Sequence, residues 1–289
     1  MNDDGLPPLR DVINRFELQA KKSLGQNFLT DLNLTCKIAR SAGDLKNSIV
    51  YEVGPGPGAL TRGLLMSGAA KVVAVEMDHR CINALEEVSS AYDGRLTVRE
   101  GDALEVDELA LIGDTQGKDV HVIANLPYNV GTALLVKWMT LNNWKPWFKS
   151  LTLMFQKEVG MRAVATPRTK AYGRLSVLCQ YRADVSVLFD IPPQAFTPPP
   201  KVTSCIVQIV PHEEPTNSPK QKTLEKLVSA AFNQRRKMLR ASLKSLGVDP
   251  LPKLTGASIN ETARAEELTV EDFCRLALEY EKNNETHTQ

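Results

Sequence analysis

Asn125-Leu126-Pro127-Tyr128 brings an amide, an imino acid and a phenol together directly after the apolar run Val120-His121-Val122-Ile123-Ala124. The run reads as a short buried strand, and in an open α/β sheet ligands bind just outside the carboxyl ends of the strands. Asn125 offers a carbonyl acceptor there. Pro127 restricts Leu126 to an extended shape, which can point its backbone carbonyl outward. Tyr128 offers a flat face for stacking. Two acceptors and a ring suit the amino group of a planar heterocycle. A strand followed by a plain turn is the alternative for these four residues taken alone.

A second group lies upstream. Ile49-Val50-Tyr51-Glu52-Val53 reads as a strand that runs into Gly54-Pro55-Gly56-Pro57-Gly58, after which helical spacing resumes at Ala59. A strand, a glycine loop and a helix let backbone approach a ligand and aim helix N–H groups at it. The spacing is G-x-G-x-G, which differs from the fingerprint of a dinucleotide site. Glu52, just before the loop, would repel phosphates and attract a cation. Glu76 ends the next strand, Val72-Val73-Ala74-Val75, and its spacing from the glycines suits a contact to ribose hydroxyls. Asp102 follows the strand Leu96-Thr97-Val98-Arg99 and can accept from an adenine amino group. Ribose, adenine and a cationic group together match S-adenosylmethionine, which carries no phosphate.

A third group is basic. Between Lys220 and Lys244 stand eight Lys or Arg and one acid, Glu225, although the whole chain has a net charge of +1. Arg235, Arg236, Lys237, Arg240 and Lys244 are the densest part. On a helix over Arg235–Leu246, Arg236, Arg240 and Lys244 share one face. A solvated helix face is the plain reading; phosphate contacts that give affinity without reading sequence are the functional one. From Asn260 to Gln289 the balance reverses, with eight acids against three bases.

The elements that must position these groups alternate. Six strand and helix units predict an α/β, doubly wound sheet. Val185–Phe189 and Ser204–Val210 read as antiparallel strands, and between them Pro192, Pro193, Pro198, Pro199 and Pro200 make a stiff loop around Phe196. Beyond Glu213–Pro219 the pattern is helical. The expected division is a leader over 1–20, a catalytic domain over 21–212, a linker over 213–219 and a helical RNA-binding domain over 220–289. At 289 residues, 43% hydrophobic and 24% charged, the chain has the composition of a soluble globular protein. No apolar run is long enough for a membrane span, and the acidic N-terminus lacks the pattern of a signal peptide. Five dispersed cysteines without C-x-x-C spacing suggest reduced thiols in the cytoplasm and no zinc site. The four histidines are equally scattered, so no metal is expected.

Five motifs then occur in order: Gln26-Asn27-Phe28-Leu29; Glu52-Val53-Gly54-Pro55-Gly56-Pro57-Gly58-Ala59-Leu60-Thr61; Gly101-Asp102-Ala103; Asn125-Leu126-Pro127-Tyr128; and Phe196-Thr197-Pro198-Pro199-Pro200-Lys201-Val202-Thr203-Ser204. Together they resemble the ribosomal RNA adenine N6-dimethyltransferases over roughly residues 21 to 245, and most closely the bacterial small-subunit (16S) branch. The resemblance implies a Rossmann-like class I methyltransferase sheet with a smaller all-helical C-terminal domain. It implies dimethylation of N6 on two adjacent adenosines near the 3′ end of 16S rRNA within the immature 30S subunit, by a monomer using S-adenosylmethionine. Asn125 and Leu126 would hold the N6 hydrogens, Tyr128 would stack on the target base, and Phe196 would close its other face. The cofactor would meet Gln26, Asn27, Leu29, Gly54, Gly56, Glu76, Asp102, Ala103 and Asn125. Lys201 would join the RNA-binding residues. Three rivals stand beside this reading: the related enzyme acting on large-subunit rRNA, a non-catalytic assembly or transcription factor on the same fold, and a DNA or small-molecule methyltransferase. Leu126 speaks against the DNA enzymes, which commonly show a second proline there.

Overall fold

The computed structural model describes residues 4–21 and 25–282. Lys22-Ser23-Leu24 of the basic loop and the last seven residues lie outside the described residues. The chain opens with α1 (Leu9–Arg15), β1 (Phe28–Leu29) and α2 (Leu32–Ser41). Next come β2 (Ile49–Val53), α3 (Ala59–Met66), β3 (Lys71–Glu76), α4 (Ile82–Ala91) and β4 (Leu96–Glu100). Then follow α5 (Glu108–Ile112), β5 (Val120–Asn125), α6 (Gly131–Met139), β6 (Ser150–Gln156) and α7 (Lys157–Ala163). The rest is α8 (Arg174–Arg182), β7 (Ala183–Ile191), β8 (Phe196–Thr197), β9 (Ser204–Pro211), α9 (Gln221–Asn233), α10 (Leu239–Ser242), α11 (Pro250–Gly256) and α12 (Val270–Glu281).

Seven strands form one sheet in the order β4-β3-β2-β5-β6-β9-β7. The five from β4 to β6 are parallel, and β9 runs antiparallel to β6. The largely apolar runs of β2, β3, β5 and β6 are what strands covered on both faces require, and every residue of β2 is buried, whereas the edge strand β4 buries only Leu96. The chain builds outward from β2 through β3 to β4, then returns to place β5 on the other side of β2. The topological switch point therefore falls between β2 and β5, where ligands of such sheets bind.

Two compact units divide the chain. One takes Met1–Lys137, Pro146–Gly160 and Ser186–Val210; the other takes Trp138–Lys145, Met161–Val185 and Pro211–Gln289. The sequence-based division at 213–219 differs from this, because α8 buries Val177 and Tyr181 in the apolar cluster that also holds Leu224, Leu227 and Phe273. Contact, not chain order, assigns α8 to the helical unit. Residues 4–20, expected as a leader, contribute Leu9, Val12 and Leu18 to the core of the first unit. There Arg62 of α3, 2% exposed, donates to both carboxylate oxygens of Asp4 at 2.7 and 2.5 Å, and the Tyr92 hydroxyl donates to Asp4 at 2.9 Å. The expected helix over Arg235–Leu246 is broken: α9 ends at Asn233, a turn follows, and only Leu239–Ser242 is α-helical before a 3-10 turn over Leu243–Leu246. Arg236 therefore shares no helix face with Arg240 and Lys244. No helix among the described residues is long and apolar enough to cross a membrane.

Candidate active site

Glu52, Glu76, Asp102 and Asn125 reach one cleft at the carboxyl ends of β2, β3, β4 and β5. It holds about 950 Å³ of space free of protein atoms, part of it open solvent. Gln26, Asn27, Leu29, Gly54, Gly56, Ala103, Leu126 and Tyr128 line the same cleft, so the structure brings together every predicted cofactor residue and three of the four predicted catalytic ones. Among the described residues its lining contains no Lys, Arg or His, and it carries the carboxyls Glu52, Glu76 and Asp102. A cationic, phosphate-free nucleoside fits that set of groups.

The glycine loop is shaped by its backbone. Gly54 and Gly56 adopt φ of +67° and +55°, and a Cβ at Gly56 would lie 3.1 Å from the Phe28 ring. These are left-handed conformations that a side chain disfavours. Glu76 pins the loop: its Oε2 accepts from the Gly56 N–H at 2.8 Å and its Oε1 from the Asp78 N–H at 2.7 Å. Burial raises the Glu76 carboxyl above its ordinary value, while those backbone N–H groups oppose the rise. Glu52 differs from the expectation of a cation-attracting carboxylate. It is 1% exposed, accepts from the Thr61 hydroxyl at 2.7 Å, and is pushed up to about 8 by burial and then by the nearby Glu76. At neutral pH it holds its proton. Asp102 is half-buried, with one oxygen accepting from the Leu104 N–H at 2.8 Å.

At the end of β5 the Asn125 amide donates through Nδ2 to the Asn27 carbonyl at 3.2 Å. That bond assigns the amide orientation and leaves Oδ1 as the acceptor. Leu126 buries its side chain, and helix α6 approaches it closely: a Cβ on Gly131 would stand 3.3 Å from Leu126 Cβ. The Tyr128 hydroxyl is 2.6 Å from Ser204 Oγ at the start of β9. Burial raises the Tyr128 phenol, so it remains protonated at neutral pH.

Phe196, expected to close the other face of the target base, takes the place of a core aromatic. It is 3% exposed, lies in the core cluster, and pairs through β8 with Leu29 of β1. It does not line the cleft. The flanking prolines stiffen the loop, but a two-residue strand turns the ring inward. Of the predicted RNA contacts, Lys201, Arg236, Lys237 and Lys244 are exposed. Arg235 is ion-paired with Glu266 at 2.7 Å and also donates to the carbonyls of Thr169 and Lys170. Arg240 pairs with Glu261 at 2.9 Å. Sequence reasoning missed Asp78, which binds Gln26, and the partnership of Ser204 with Tyr128. Asp78 sits two residues beyond Glu76, a spacing that could have drawn attention to it.

Comparison with known proteins follows the same lines. A family profile described as "Ribosomal RNA adenine dimethylase" matches residues 17–282. The chain belongs to the ribosomal RNA adenine dimethylase family. Two relatives named "Ribosomal RNA small subunit methyltransferase A" are similar to it across almost their whole length. That of Azorhizobium caulinodans is 59% identical over 95% of this chain and 93% of its own. That of Sinorhizobium medicae is 60% identical over 95% of this chain and 97% of its own. Among solved structures, a dimethyladenosine transferase from Plasmodium falciparum superposes with a TM-score of 0.73 at 27% identity, covering 89% of this chain and 98% of that one. The 23S rRNA methyltransferase ErmE gives 0.65 at 25%, covering 88% and 100%. The dimethylase family membership makes this chain a methyltransferase of ribosomal RNA adenine, on a class I sheet with a helical C-terminal part.

Proposed function

We propose that this dimethylase transfers two methyl groups to N6 of each of two adjacent adenosines near the 3′ end of 16S rRNA, on the immature 30S particle, as a cytoplasmic monomer. S-adenosylmethionine is the proposed donor. The observation that carries the reading is the Asn125 amide, whose bond to Asn27 leaves its carbonyl at the strand end beside the cleft that Glu76 and Asp102 line. The relatives named for the small subunit favour that target over the large-subunit one, since they match at about twice the identity of ErmE.

When bound, S-adenosylmethionine supplies an electrophilic methyl on a sulfonium. Glu76 would hold its ribose and Asp102 its adenine amino group, and Gln26 and Leu29 would flank its methionine end. The target base leaves its stack and rests on Tyr128. Its N6 lone pair is delocalised into the ring, so the nitrogen is a weak nucleophile. Asn125 Oδ1 and the Leu126 carbonyl accept the two N6 hydrogens and favour a more pyramidal nitrogen. A nitrogen held this way would be placed to take the methyl from the sulfonium, the methyl–sulfur bonding electrons returning to sulfur. The resulting ammonium is acidic and sheds its proton to water, so no strong base is needed. Positioning supplies most of the rate.

Labelled methyl transfer to immature 30S particles, followed by nucleoside analysis, is expected to yield N6,N6-dimethyladenosine. Asn125→Ala should bind the donor in calorimetry yet lose about a hundredfold or more in transfer, as when a charge-stabilising partner is removed from an active site. A fully active variant would refute the acceptor role.

A further inference from the structure

A relay of hydrogen bonds joins the donor cleft to the Asn125 amide. Asp78 donates its backbone N–H to Glu76 Oε1 at 2.7 Å. Its side chain serves other partners. Oδ2 accepts from Gln26 Nε2 at 3.0 Å and from Arg80 Nη2 at 2.5 Å, and Oδ1 accepts from Arg80 Nε at 2.9 Å. The Arg80 guanidinium holds the Asp78 carboxyl down to about 2, so it is ionised at working pH. Gln26 cannot serve Asp78 equally well with its amide reversed, because its Oε1 already accepts from the Lys21 N–H at 2.9 Å. The next residue, Asn27, offers the carbonyl that receives Asn125 Nδ2 at 3.2 Å.

An asparagine amide has two nearly isosteric orientations that differ in which end donates. With its oxygen toward an amino group, Asn125 accepts; reversed, it sets donor against donor. The Asn27 carbonyl selects the first orientation, and only while residues 25–29 are seated. Beyond the bonds of Gln26, that strap is tied down by the short β1–β8 pairing of Phe28 with Thr197 and Leu29 with Phe196. We propose that Asp78 is a positioning residue: it seats the strap through Gln26 and so, by way of the Asn27 carbonyl, holds the Asn125 amide with its oxygen toward the target base. This rests on the reading of Asn125 as the N6 acceptor. It goes further by making the acceptor geometry depend on a carboxylate at the donor side of the cleft.

The test exchanges polarity. Asp78→Asn leaves one oxygen for the four donors that the two carboxylate oxygens serve, and an amide that keeps the Arg80 Nε and backbone N–H bonds faces Gln26 with its NH2. Gln26→Glu puts two carboxylates together. The combined variant restores one donor facing one acceptor, reversed. With S-adenosylmethionine and immature 30S particles, each single change is expected to lower kcat by about 10- to 100-fold, the scale of a small misplacement at a reacting centre. Asp78→Asn should leave the donor Kd near the native value, since the Glu76 contact runs through Asp78 backbone. The combined variant should recover most of the lost kcat. Native-like kcat in Asp78→Asn overturns the proposal, as does a loss that only follows donor Kd. So does a combined variant no better than the worse single one when all melt at the native temperature. Should Asp78→Asn melt early, Gln26→Glu against the combined variant makes the same comparison. Asn125→Ala in the same assay separates the two readings. If it is active, the acceptor reading fails; if it is inactive while Asp78→Asn is native-like, the relay alone fails.

Discussion

Glu52 carries a proton at neutral pH because the fold removes it from water. Its ordinary value near 4.5 moves up to about 8, so folding takes up a proton between those limits. A carboxyl raised on folding contributes its full stability below the unfolded value and loses it as pH rises through the folded one. Glu52→Gln should therefore flatten the pH dependence. In urea titrations the native chain is expected to lose about 1.4 kcal/mol per pH unit relative to the variant between those two values. Parallel curves would rule out the buried acid. The carboxylate positions were legible in the sequence, because strand ends and a glycine loop can be read from spacing. Protonation was not, because it depends on the three-dimensional burial of Glu52, which outweighs the opposing hydrogen bond from Thr61 of α3. Phe196 failed for a similar reason: proline content marks a stiff loop without saying which way its ring turns.

α3 links the glycine loop to the rest of its unit, and its neighbour α2 sits unusually close. A Cβ at Gly63 would come within 2.7 Å of both the carbonyl carbon and the hydroxyl of Thr35. Backbone cannot yield as a flexible side chain does. Gly63→Ala should thus destabilise the fold by about 1–3 kcal/mol, the usual cost of overpacking, seen as a lower urea midpoint. An unchanged midpoint would show that the two helices can part freely. The seven sheet strands were readable because each is an apolar or alternating run bounded by turn residues. β1 and β8 were not, since two residues carry no period and their pairing is long-range. The late start of the helix after α9 was also missed. Lys and Arg are good helix formers, so Arg235–Lys237 looks helical until Arg235 is seen turned toward Glu266 and the Thr169–Lys170 carbonyls.

Across the whole molecule, the near-neutral charge conceals internal pairing. From the acid-rich stretch that begins at Asn260, Glu261 and Glu266 pair with Arg240 and Arg235. Arg236, Lys237 and Lys244 are exposed, as the proposed phosphate contacts require. Replacing those three by Ala should weaken rRNA binding and reduce the slope of log affinity against log salt by about 2 to 3. Filter binding at several salt concentrations reads this directly, and an unchanged slope would remove them from the RNA contact. The short pairing of β1 with β8 has a consequence for synthesis. Every segment that carries chemistry, from Gln26 to Tyr128, leaves the ribosome before residues 196–204 exist. Until then Phe28 and Leu29 lack their strand partners, and Tyr128 lacks Ser204. A nascent chain stalled after α6 would own the glycine loop, the carboxylates and the Asn125 amide, yet could not hold them as one pocket. Activity is therefore expected only once residues 196–204 have been made, and a fragment ending before them is expected to possess the motifs without the contacts that tie β1 and Tyr128 in place.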